Sequence, residues 1–269
     1  MAKRAYLIAG ALSIAAVSTL AIAKSHTEGA LRVSPALMAA VAAPTRTPAN
    51  VERDKYRNPG ATLAFFGVKP TDTVVELIPS AGWYTEILGP YLAQRGTLYA
   101  AQSPGAGQDR LKAKLAASPV YAKVKVVPLM GAGIAPNSVD AVLTFRNIHN
   151  LTMRGDGTDA KLLAEAYAML KPGGTLGIEE HRLPESRDVA AEKTSGYLKV
   201  SSVRRIVEAA GFRYIGSSEV NANPRDTADY PKGVWTLPPN FREGDVDRAK
   251  YAAIGESDRM TLKFVKPKR

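Results

Sequence analysis

Thr73-Val-Val-Glu-Leu-Ile-Pro-Ser-Ala-Gly-Trp-Tyr-Thr-Glu-Ile-Leu88 decides the fold. Val74, Val75, Leu77 and Ile78 make a near-continuous apolar run, the pattern of a strand covered on both faces of a parallel sheet. Pro79, Ser80 and Gly82 interrupt the run, and helical spacing resumes from Trp83 to Leu92. Strand, tight turn and helix in this order bring backbone N–H groups to the carboxyl end of the strand. A polar or anionic part of a small ligand suits that place, and Glu76 stands where its carboxylate can accept hydrogen bonds from one. The same local pattern also serves a plain α/β scaffold with no ligand.

Outward from this stretch the chain alternates. Residues 97–101, 124–128, 139–145, 175–178 and the segment from 212 read as strands. Residues 61–66, 83–93, 111–117, 158–170 and 203–210 read as helices. Lys171-Pro-Gly-Gly174 is expected to close one helix and Gly211 another. Residues 260–265 alternate apolar and polar, as a half-exposed last strand does. The order implies an α/β fold with a doubly wound, mostly parallel sheet, whose strand-to-helix loops share one edge. Residues 221–255, rich in proline and charge, are too long for an ordinary connection. They are expected to form a lid-like insertion with Trp235 as an aromatic wall.

The chain has 269 residues, 45% hydrophobic and 23% charged, enough for one large domain. It contains no cysteine, which excludes disulfides, thiolate nucleophiles and cysteine metal sites. Lys3 and Arg4 precede an uncharged apolar run to Ala23, which ends in Ala21-Ile-Ala23. That is the pattern of a signal peptide over residues 1–23, with an uncleaved membrane anchor as the alternative. Both place the remainder outside the cytoplasm, in the periplasm if the source is a bacterium with two membranes. Residues 24–50, with Ser, Thr, Pro and Ala and little periodicity, read as a flexible linker or arm. The formal charge of +11 suits association with a membrane or anionic envelope component. Lys and Arg are scattered without interleaved aromatics, so no nucleic-acid partner is expected.

Val75-Glu-Leu77, Gly82, Ser138-Val-Asp-Ala-Val142, Met169-Leu-Lys-Pro-Gly-Gly174 and Val207-Glu-Ala-Ala-Gly-Phe212, in this order, resemble the class I S-adenosylmethionine-dependent methyltransferases. Phe65-Phe-Gly-Val-Lys-Pro70, Gly82-Trp-Tyr-Thr-Glu-Ile-Leu88, Asn147-Ile-His-Asn-Leu151 and Glu180-His-Arg182 look like an exported bacterial branch of that family. The resemblance spans residues 51–269. It implies a seven-stranded Rossmann-like sheet with an antiparallel last strand, S-adenosylmethionine as cofactor, and Glu76, Ser80, Gly82, Tyr84, Gln102 and Asn147 around it. The family carries three alternating glycines after the acid, where the cofactor nears the backbone. This chain has Ile78, Ser80 and Gly82 there, and Gln102 where the family's ribose-binding acid falls.

His149 follows the fourth strand and His181 the fifth, so both side chains can meet in one cleft, with Glu180 beside them. A histidine there suits proton removal from an attacking oxygen or nitrogen. Alternatively each histidine satisfies backbone groups at a strand end. Two histidines and a carboxylate also match a metal site by type, but their sequence spacing does not support one, and none is expected. Tyr84 packs the first helix or closes over a pocket; Asn147 positions a ligand or forms a turn. Two functions follow: methyl transfer to a small or lipid-like acceptor, or an exported binding protein that keeps the fold without catalysis. Oligomeric state is not legible.

Overall fold

The computed structural model describes residues 32–268; the expected signal peptide and the first part of the expected arm lie outside them. Strands β1 (Thr73–Leu77), β2 (Thr97–Ala101), β3 (Val124–Val127), β4 (Val139–Phe145), β5 (Leu170–His181), β6 (Arg213–Ser218) and β7 (Arg259–Val265) build one sheet in the order β3-β2-β1-β4-β5-β7-β6. From β3 through β5 neighbours are parallel, and β7 is antiparallel to both β5 and β6. The doubly wound, seven-stranded sheet is the one the sequence implies.

Side-chain alternation divides the strands between two cores. Val75, Leu77, Val142, Leu176 and Ile178 face one, with residues of α8 (Thr158–Met169) and α9 (Val200–Ala209). Val74, Ala141, Leu143 and Phe145 face the other, under α1 (Pro35–Val41), α4 (Pro59–Phe66) and α5 (Thr85–Leu92). Among the described residues no helix is long and apolar enough to cross a membrane.

Three sequence expectations need correction. Residues 35–50 are not a flexible arm. Ser34-Pro35, Thr47-Pro48 and Asn58-Pro59 each open a helix, because proline at the first helical position needs no N–H partner. Leu37 and Ala40 of α1 are buried beside Leu63 and Phe66, and Arg46 is held by Asp54 at 2.6 Å. Second, β7 is not half-exposed. It lies between β5 and β6, and its polar face is covered: Asn221 donates to Thr261 Oγ1 (3.0 Å) and Thr62 Oγ1 (2.8 Å), while Lys263 reaches the Phe65 carbonyl. Third, the helix before Lys171 stops at Met169, and Lys171–Gly174 belongs to β5. Gly173 N donates to the Lys266 carbonyl and Lys266 N to that of Gly174, closing the strand against the end of β7.

Candidate active site

The carboxyl edge of β1, β4 and β5 opens on a cavity of about 440 Å³. It is lined by Glu76 and the bend 78–81, by His149 and His181, by Arg53, Arg57 and Arg146, and by the apolar Val234, Trp235 and Pro238. The segment 221–255 thus contributes an aromatic wall, through a 3₁₀ turn at Gly233–Thr236.

Glu76, next to last in β1, is 2% exposed and accepts a hydrogen bond from Thr85 Oγ1 at 2.7 Å. Burial raises its pKa to about 7, against the Thr85 hydrogen bond and Arg146, which lower it. Ile78, Ser80 and Gly82 then have φ of 54°, 54° and 78°. Positive φ is unfavourable for any side chain and most so for a β-branched one. The backbone therefore takes the path of a triple-glycine bend with only one glycine in it. Gly82 is that one for a second reason: a Cβ there would lie 2.9 Å from Leu111 Cδ1 of α6 (Ala106–Ala116).

Not every expected residue reaches the cavity. Gly82 packs against α6, and Glu180 is fully buried behind His149. Gln102 is turned away from it; its Oε1 accepts from Ser80 N at 2.9 Å, so the amide braces the bend. Asn147 borders the cavity but spends its amide on the carbonyls of Leu77 (3.2 Å) and Ile78 (3.3 Å) and on Thr144 Oγ1. It ties β1 to β4. Tyr84 also borders the cavity, but it packs rather than closes: its ring stacks on Phe145 with centroids 3.5 Å apart, and its hydroxyl donates to Glu179 Oε2 at 3.2 Å.

The structure does bring His149 and His181 together, with ring centroids 5.1 Å apart. His149 lies in α7 (Ile148–Thr152), with Nδ1 2.8 Å from Glu180 Oε1. In the neutral tautomer that a carboxylate partner favours, the proton is on Nδ1 and Nε2 keeps its lone pair. His181 Nδ1 pairs with Ser257 Oγ at 2.6 Å. Burial first, then His149 and Arg146, hold its pKa well below the usual histidine range, so it is neutral near pH 7. The ligand atoms of His149, Glu180 and His181 lie within 4.8 Å of one another, a closeness that sequence spacing hides. Glu180, however, already accepts from His149 N, His149 Nδ1 and His181 N.

Sequence reasoning missed the arginines. Glu179 and Glu180 leave β5 on opposite faces; Glu180 meets the histidines, while Glu179 meets Arg146 at 2.9 Å and Arg259 at 3.1 Å. Glu256 takes Arg53 at 2.6 Å and Arg57 at 3.0 Å. Burial raises Glu256, but Arg57, Arg259 and Arg53 outweigh it and hold the pKa at about 2. Arg53 and Arg57, four apart beside Asn58-Pro59, were the available signal.

The bend and the Glu76 edge fit the methionine end of S-adenosylmethionine, because Glu76, Ser80 and Ala81, a carboxylate and two small residues, border the cavity there, although Ile78 and Trp83 border it too. At the ribose end Gln102 has the chemistry, an amide able to bond two hydroxyls, once it leaves Ser80 N.

No protein-family model matches the chain, and no curated protein matches it. Solved structures do. The chain is similar to a S-adenosylmethionine-dependent methyltransferase from Aquifex aeolicus, with a TM-score of 0.56 and 19% identity over 80% of this chain and 93% of that one. It is similar to an arsenic(III) S-adenosylmethionine methyltransferase from Chlamydomonas reinhardtii (TM-score 0.51, 16% identity, 87% and 74% covered). It is similar, too, to the 4+2 cyclase SpnF (TM-score 0.57, 15% identity, 86% and 91% covered). At such identities these likenesses establish an α/β fold of the methyltransferase type.

Proposed function

We propose that the chain is a S-adenosylmethionine-dependent methyltransferase acting on a small acceptor held in the cavity beside His149 and His181. The observation that carries this reading is the bend. Positive φ at Ile78 and Ser80 costs the fold on the order of 1 kcal/mol or more each, and strained backbone of this kind is retained where a ligand must approach closely. When bound, the cofactor supplies a methyl group on a sulfonium. Glu76 and the 79–81 backbone would hold its methionine end, and Gln102 its ribose.

The chain's own part is alignment and proton removal. His149 Nε2 takes the proton that an acceptor oxygen or nitrogen gives up, while Glu180 fixes the imidazole's tautomer through Nδ1. Trp235 and Pro238 give the cavity an apolar border beside it. The leader-like residues 1–23 support export of the protein, in keeping with the branch it resembles, and the basic charge supports attraction to anionic envelope components.

Isothermal titration of the full chain with S-adenosylhomocysteine tests the reading. Saturable binding at one site per chain is expected; no heat at millimolar ligand would sink it. The Gln102–Ser80 bond favours a second reading, an exported binding protein without methyl transfer. Mass spectrometry of ligand carried through purification separates the two: a molecule unrelated to the cofactor favours the second.

A further inference from the structure

The charge around the cavity is unbalanced. Four guanidinium groups share two carboxylates: Glu256 serves Arg53, Arg57 and Arg259, and Glu179 serves Arg146 and Arg259. Arg53, Arg57 and Arg146 border the cavity. Arg57 is 5% exposed, fixed by Glu256 on its Nε and by the Trp83 ring 4.8 Å from its central carbon. Among the described residues the hydrogen bond from its guanidinium runs from Nε to Glu256, which leaves the terminal nitrogens to face the cavity, and Arg53 Nη2 is buried without a partner. Burial, and then the repulsion of Arg146, Arg53 and Arg259, lower the Arg57 pKa well below its usual value despite Glu256. A desolvated guanidinium with unused donors beside an open space is a place for an oxyanion, which relieves both the repulsion and the missing hydrogen bonds. The same field opposes a metal ion at His149 and His181. The Val234, Trp235 and Pro238 wall is apolar.

We propose that Arg53, Arg57 and Arg146 form an oxyanion subsite, and that the molecule bound there is a small organic acid with an apolar body. That this acid is the methyl acceptor rests on the methyl-transfer reading; the subsite itself does not. The histidines line the same cavity, His149 with its ring centroid 6.0 Å from that of Trp235, and the acid's nucleophile would lie against them.

Titration of the full chain with benzoate and with its neutral isostere benzamide, each with and without S-adenosylhomocysteine, tests this. Benzoate is expected to bind one site at least tenfold more tightly than benzamide, by roughly the worth of one charge-assisted hydrogen bond, and to bind alongside S-adenosylhomocysteine. Arg53→Gln and Arg57→Gln are each expected to weaken benzoate about tenfold and to leave S-adenosylhomocysteine within about twofold. Benzoate binding no tighter than benzamide overturns the subsite, and this comparison needs no variant to fold. Exclusion of benzoate by S-adenosylhomocysteine, or variants that weaken that ligand instead, would assign the arginines to the cofactor's own carboxylate and overturn the proposal. Benzoate bound as expected with no S-adenosylhomocysteine binding supports the subsite and retires methyl transfer alone.

Discussion

Glu76→Gln is expected to stabilise the protein in alkali while weakening the site. Burial raises the Glu76 carboxyl from the ordinary 4.5 to about 7 in the folded protein. Between those values the folded chain keeps a proton that the unfolded chain has released, so stability falls as pH rises through this window and levels off above it. At about 1.36 kcal/mol per pH unit the loss comes to about 3 kcal/mol. Glutamine has the same shape, still accepts from Thr85 Oγ1, and never ionises. In urea unfolding the variant should match the parent at about pH 4 and exceed it by about 3 kcal/mol at about pH 8. At about pH 8, where the carboxylate is ionised, the same substitution removes a charged acceptor from the cavity floor and should cost S-adenosylhomocysteine about tenfold in affinity. A stability difference that does not change with pH, or a variant less stable at pH 8, would refute the assignment of Glu76 as a buried acid held largely neutral below pH 7.

Leu37→Ala should cost about 2–5 kcal/mol in chemical denaturation, since α1 is part of the core; a change under 0.5 kcal/mol would mean the segment is only draped on the surface. Glu256→Gln leaves Arg53, Arg57 and Arg259 without a shared anion and should cost about 3 kcal/mol or more, read as a lowered thermal midpoint. Once an acceptor is in hand, His149→Ala should lower turnover by about 10²–10⁴-fold, with Glu180→Gln intermediate; unchanged turnover removes the histidine from the chemistry.

The strands were legible because a parallel sheet buries both faces of β1 and β4, and few patterns other than an apolar run achieve that. β7 misled for a physical reason: its alternation is real, but Thr261 and Arg259 are buried in a polar network rather than wetted. The helices at 35–51 are too short for periodicity, and only their Ser-Pro and Thr-Pro starts announce them. At the site, Glu76, His149 and His181 were readable because each lies at or just past the carboxyl end of a strand. Gln102 and Asn147 were placed at the right edge, yet they brace the bend, since an amide's choice between backbone and ligand depends on distances that sequence does not carry. The arginine cluster gathers residues 53, 57, 146 and 259 from three separate segments, so the spacing of Arg53 and Arg57 announced only half of it.

Hydrogen exchange of the full chain with and without S-adenosylhomocysteine probes the bend at 78–82 directly. If that strained turn is kept to receive the cofactor, peptides covering 78–82 and Gln102 should exchange more slowly with ligand, as the backbone is fixed and Gln102 is recruited. Binding that protects other segments and leaves the turn unchanged would show that its conformation serves packing alone.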